Sequence, residues 1–216
     1  MLKDLSKMKI ARFVDMQACK SIFSDSSTFV LRSEKYYQRL EGGRGDAEEL
    51  RVQIRNGGLA QANGFALSCW TTLDGDEPTQ DEWKIFPVSD VAIISTPDRV
   101  SVFLKEAFAL EAVDGKDRRR YPFLFLTHKQ VQYADRLDER VGPDAITDVP
   151  VFTKRKCFAH QKEYRVALAF SPILHWIDTY IFSKPPDYME KCLANPEIDH
   201  SKARELRDII KRACAG

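Results

Sequence analysis

With 44% hydrophobic and 11% aromatic residues, the 216-residue chain can fill one large core, while 33 Lys and Arg against 32 Asp and Glu leave a net charge of +1. That balance excludes a general grip on nucleic acid or anionic membrane, leaving local basic clusters (Arg118, Arg119, Arg120; Lys154, Arg155, Lys156) that face water or a polyanion. Five scattered cysteines without CxxC, four histidines without HExxH and no signal-like or membrane-length apolar run point to a soluble cytoplasmic protein with reduced thiols and no metal site.

Along the chain, residues 9–14 alternate as a short strand in which Arg12 shares a face with Ile10 and Val14. Asp15 is placed to cap a helix reaching Phe23. Phe29, Val30 and Leu31 read as a second strand, and Ser33 opens a capped helix carrying Tyr36 and Tyr37. Glycines 42, 43 and 45 break it, and Asp46 caps a further helix that stops at Asn56-Gly57-Gly58. Residues 65–72 form an apolar strand, and 73–84 read as a polar loop.

A compact buried strand follows at 91–95. Thr96-Pro97 then opens a helix to about Leu110, with Val100, Phe103, Leu104, Ala107 and Phe108 as its apolar stripe. Residues 123–126 and 131–133 read as two strands joined by a tight turn, and 135–149 as a loop. The strongest strand pattern is 163–170, and a charged amphipathic helix spans about 201–213, with Leu206, Ile209 and Ile210 inward. Short strands mixed irregularly with helices indicate an α+β fold in a single domain, residues 1–216. No GxGxxG, Walker, kinase or serine-hydrolase signature is present.

Three features stand out chemically. Gln161, Glu163 and Arg165 project together by the period of a strand, so a carboxylate at a strand start is flanked by an amide and a guanidinium. The plain alternative is a Glu–Arg pair closing a sheet edge. Ser68 places a hydroxyl among apolar residues beside Trp70, where backbone satisfaction is the ordinary role. Arg12 lies between β-branched neighbours, as a snorkelling edge residue or a placed cation.

The order of an early strand arginine, a middle serine and a late Gln-x-Glu resembles the R-S-E pattern of one ADP-ribosyltransferase branch. The stretches 10–13, 29–33 with Tyr36-Tyr37, 67–70, 131–135 and 158–165 resemble a bacterial ADP-ribosyltransferase-like family found near abortive-infection and toxin genes. The resemblance implies a split mixed β-sheet core flanked by helices, with NAD as substrate. It also implies a nucleic-acid or protein acceptor and a role as toxin or phage-defence effector, with a cognate antitoxin or chaperone.

By the same resemblance, Glu163 would stabilise the oxocarbenium-like centre formed when the nicotinamide–ribose bond breaks. Gln161 would orient the acceptor. Arg12 would hold the dinucleotide phosphates or ribose, Ser68 would position Glu163 and the nicotinamide ribose, and Tyr36, Tyr37 or Trp70 would stack on nicotinamide. Arg32-Ser33 competes with Arg12 for the first motif position. An inactive binding or sensing module and an NAD glycohydrolase are the other readings of the same residues.

Overall fold

The computed structural model describes residues 5, 7–23, 28–33, 51–53, 59–61, 65–107, 112–114, 117–119, 123–134, 150–170, 179–183 and 187–214. The first elements are β1 (Ile10–Val14), α1 (Met16–Ile22), β2 (Thr28–Ser33), β3 (Arg51–Gln53), β4 (Leu59–Gln61) and β5 (Phe65–Thr72). Next come α2 (Gln80–Ile85), β6 (Val91–Ser95), α3 (Pro97–Ala107), β7 (Ala112–Asp114), β8 (Asp117–Arg119), β9 (Phe123–Gln130) and β10 (Gln132–Ala134). The last are β11 (Thr153–Arg155), β12 (Glu163–Phe170), β13 (Thr179–Ser183), β14 (Lys191–Ala194) and α4 (His200–Cys214), with single 3-10 turns at Pro150–Phe152 and Lys156–Gln161. The class is α+β with mostly antiparallel pairing; among the registers described, only β10 with β11 is parallel.

The chain divides into two compact units, each assembled from separated segments: 1–29, 70–111 and 181–216, and 30–69 with 112–180. In the first unit β1 pairs antiparallel with β6 over five residues, from Ile10 opposite Ser95 to Val14 opposite Val91. On its other edge β6 pairs with β14. Ile10, Ala11, Val91, Ala92, Ile93 and Ile94 are all fully buried, because residues of both pleat faces lie under side chains. On one face Phe13 stacks on Phe86 at 4.5 Å and meets Trp83 edge-on at 5.0 Å. Tyr188 packs against Phe103 of α3 and, edge-on, against Trp70.

Helix ends in this unit follow local chemistry. Asp15 Oδ1 accepts from Ala18 N at 2.7 Å, capping α1 as its sequence predicts. Asp90 adds a second acceptor at the same end, taking Met16 N at 2.9 Å, and its other oxygen binds Lys202 of α4 at 2.8 Å. Thr96 Oγ1 accepts from Arg99 N ahead of Pro97, and Val100, Phe103 and Leu104 of α3 are buried. In α4, Leu206 and Ile209 are buried and Ile210 is half-buried.

In the second unit β12 pairs with β9 from Tyr164 opposite Gln130 to Ala169 opposite Phe125, then shifts register at Phe170. The other edge of β12 pairs with β5. Phe65 and Leu67 of β5, Ala167 and Ala169 of β12, and Val151 and Phe152 form one hydrophobic cluster, with Cys69 against it.

Two sequence expectations are corrected. The span 73–84 is not all loop: α2 begins at Gln80, held by a capping box in which Thr79 and Glu82 satisfy each other's backbone N–H. Within the helix expected from Asp46 to Asn56, residues 51–53 instead form β3, paired with β4 from Arg51 opposite Gln61 to Gln53 opposite Leu59, and the rest of that span lies outside the described residues. Ser33 ends β2 opposite Ala66, and the helix expected to follow it, with Tyr36 and Tyr37, lies outside the described residues. Further, β9 continues to Gln130, beyond the expected end at Leu126, and the loop expected at 135–149 lies outside the described residues.

Thr79→Ala is expected to lower stability by about 1 kcal/mol, with Thr79→Ser within a few tenths, measured by urea denaturation. Equal loss for both variants would show that the hydroxyl cap does not set this helix.

Candidate functional site

The site is built where β11, the 3-10 turn 156–161 and β12 meet in the second unit. β11 lies parallel to β10, with Tyr133 opposite Lys154 and Ala134 opposite Arg155. After the turn the chain reverses through Lys162, a non-glycine residue in the left-handed region at φ 45° and ψ 43°, whose N–H donates to Ala159 O. Such a conformation is uncommon for a residue with a Cβ and is held here by its neighbours. It delivers Glu163 as the first residue of β12.

Glu163 is 6% exposed, Lys154 3% and Arg165 fully buried. Two residues apart on one strand, Glu163 and Arg165 share a face, so the guanidinium folds back on the carboxylate. Arg165 Nε donates to Glu163 Oε1 at 2.8 Å and Nη2 to Oε2 at 3.2 Å. Lys154 Nζ donates to Glu163 Oε2 at 3.1 Å and to Gln161 Oε1 at 2.9 Å. Arg165 Nη1 also donates to Val151 O at 2.6 Å, and the Lys154 ammonium lies 4.9 Å from the centre of the Phe158 ring.

The main chain of Glu163 is fixed as well: its N–H donates to the Tyr133 hydroxyl at 2.7 Å, and its carbonyl accepts from Val131 N at 2.8 Å. Burial is the main cause that pushes the Tyr133 hydroxyl up to about 12, with the Glu163 charge adding to it. A carboxylate offers roughly four acceptor positions, and three N–H donors from described residues fill three of them.

The structure brings Gln161 and Glu163 together, though through the ammonium of Lys154 and not through a strand pleat, since Gln161 belongs to the 3-10 turn. Lys154 is corrected from a surface or polyanion-facing residue to a buried partner of the carboxylate. Ser68 is buried, but strand alternation denies it the role of positioning Glu163. Phe65, Leu67 and Cys69 lie on the face of β5 that meets Ala167 and Ala169, the face of β12 that also carries Glu163 and Arg165. Ser68 therefore points the other way, with Ala66. Cys69 is the β5 residue on that face, and its charge bears on Tyr133.

Arg12 belongs to the first unit, half-buried and opposite Ile93. Its charge pulls the Tyr188 hydroxyl down, but burial dominates and raises that group to about 12. Trp70 is 2% exposed and packed on Tyr188, which makes it core and not a stacking platform. Tyr36 and Tyr37 lie outside the described residues; Arg32 sits in β2 opposite Leu67. Sequence reasoning missed Tyr133 and the pairing of Lys154. Neither has a local signal, because the parallel β10–β11 pairing that sets Tyr133 opposite Lys154 spans about twenty residues of chain.

Compared with protein-family models, characterised proteins and solved structures, the chain matches none of them.

Arg165→Met is expected to cost about 3–5 kcal/mol by leaving a buried charge under-compensated. The double variant with Glu163→Gln should cost less than the sum of the singles in urea denaturation; additive losses would deny the coupling. A second expectation concerns alkaline pH. Tyr133 and Tyr188 keep their protons in the folded state to about 12 but lose them near 10 when unfolded. The unfolded state then binds fewer protons, so stability falls as pH rises from about 10 to 12. Tyr188→Phe should flatten that fall in thermal melts across this window.

Proposed function

We propose that the chain is an NAD-dependent ADP-ribosyltransferase of the R-S-E type, with Glu163 as the carboxylate that meets the nicotinamide ribose. The observation that supports this best is a recessed carboxylate at a strand start, fixed by three N–H donors with about one acceptor position left over. That position suits a ribose hydroxyl. Preorganised negative charge beside a developing oxocarbenium centre stabilises the transition state without reorganisation at the moment of reaction.

In this reading Lys154 and Arg165 are positioning residues, taking the part first expected of Ser68. Lys154 also fixes the side-chain oxygen of Gln161, the residue assigned to the acceptor. Arg12 remains the candidate for the dinucleotide phosphates, with Arg32 as its rival, by resemblance to the motif order. The role of toxin or phage-defence effector, with its antitoxin or chaperone, belongs to the same proposal.

One observation favours a second reading, an inactive binding or sensing module. Two buried cations on one carboxylate also describe a structural ion cluster, in which Glu163 serves folding alone.

Incubating the purified protein with labelled NAD and a cell extract separates these readings. Label on RNA, DNA or protein with wild type, reduced about 100-fold or more in a folded Glu163→Gln variant, is the expected result. Free ADP-ribose without labelled macromolecule would instead identify a glycohydrolase. A folded wild type that consumes no NAD would leave the binding module.

A further inference from the structure

Two thiols of the first unit meet although they lie far apart in the chain. Cys19 belongs to α1, whose buried face is made by Met16, Cys19 and Ile22, and it is fully buried there. Cys192 belongs to β14 and is half-buried. A side-chain hydrogen bond joins the two, and neither sulfur is in a disulfide.

The backbone is fixed on both sides of this contact. Cys19 N donates to Asp15 O at 3.0 Å and Cys19 O accepts from Phe23 N at 3.1 Å, which sets the residue inside the helical ladder. Cys192 is opposite Ile93 of β6, and Ile93 is opposite Arg12 of β1, so Arg12, Ile93 and Cys192 form one row on one face of the sheet. Asp90 anchors both elements. Its carboxylate accepts from Met16 N at 2.9 Å at the start of α1, and its carbonyl accepts from Asn195 N at 2.8 Å just past the end of β14. A disulfide tolerates a narrow range of backbone separations, so it forms where two sulfurs already meet on fixed chain.

We infer that Cys19 and Cys192 form an oxidation site, a dithiol that closes to a disulfide when a peroxide reaches Cys192 and reopens under a thiol reductant. Cys192 reacts first because it is the more accessible of the two. Its thiolate attacks one peroxide oxygen, the O–O bond breaks, and hydroxide leaves and is protonated to water, giving a sulfenic acid. The Cys19 thiolate then attacks the Cys192 sulfur, the S–O bond breaks, and the second hydroxide leaves as water. Two thiols lose two electrons and two protons, and one peroxide becomes two waters. The hydrogen bond from Cys192 pulls the Cys19 thiol down from its ordinary value, against burial and the charges of Asp15 and Asp90, which favours the attacking thiolate. The bond ties the segment 1–29 to the segment 181–216 within one unit, on the sheet face that carries Arg12.

The test treats the folded full chain with hydrogen peroxide, alkylates the remaining thiols and digests with trypsin without reductant before mass spectrometry. The expected product joins residues 13–20 to residues 192–202 with the loss of two hydrogens, and dithiothreitol removes it. Cys192→Ser should abolish it. Cys157→Ser, which removes an exposed thiol of the second unit, should leave it unchanged. In the urea-unfolded chain the preference should pass to Cys157 or Cys214 as partner of Cys192, because shorter loops close more readily. The linked chain should also unfold at a higher urea concentration than the reduced one, since the bond closes residues 20–191 into a loop of the unfolded state. A Cys192 that the peroxide leaves untouched in the folded chain, converts to sulfinic acid or pairs with another cysteine overturns the inference. So does a link between Cys19 and Cys192 that forms equally well in urea, or one that lowers the urea midpoint.

Discussion

The buried carboxylate of Glu163 is held between the ammonium of Lys154 and the guanidinium of Arg165, and the second unit is organised around that contact. Removing three charges from water is costly, and the cost is offset only when nearly every donor and acceptor finds a partner. Here the partners come from the Val151 carbonyl, the Gln161 amide and the Phe158 ring, while Tyr133 fixes the backbone of Glu163 itself. Gln161 and Phe158 share the 156–161 turn, while Val151 and Tyr133 come from two other segments. The cluster therefore ties together β10, β11, the 3-10 turn and β12, which hydrophobic burial alone would leave free to slide.

Register does the rest of the positioning. β12 is held to β9 by an antiparallel ladder from Tyr164 to Ala169 and is buried on both faces, so a slip of one residue would drive Glu163 and Arg165 into the apolar face now held by Val166 and Leu168. The same alternation decides what β5 contributes. A shift of one residue separates Ser68 from Cys69, and the face in contact with Ala167 and Ala169 belongs to Cys69. A hydroxyl that looks well placed in the sequence is thus turned from the carboxylate, and two cations do the orienting.

The first unit shows a different economy. Its core is aliphatic and aromatic, and its polar connections are caps and clamps at element ends. Asp90 joins the start of α1 to α4, and Glu190 meets both Lys9 and Arg99. Such exposed or half-exposed pairs contribute little to stability singly, but they define where helices begin and which strand edge a helix accompanies. The half-buried Arg12 belongs to this unit, with its charge near the buried hydroxyl of Tyr188.

By itself the sequence determined the elements whose signals are local. β5, β6 and β12 run over the residues their apolar patterns mark, and the Asp15 cap and the Thr96-Pro97 start of α3 depend on bonds within one turn. The shared face of Glu163 and Arg165 was also legible, because a strand repeats every two residues. At residues 51–53, read as helix from the sequence, the pairing of β3 with β4 decided for strand. Only the tertiary structure decided that Lys154 is buried on Glu163, that Tyr133 anchors its backbone and that Ser68 faces away. Those outcomes depend on which strands become neighbours, and a contact between distant segments leaves no period in the chain.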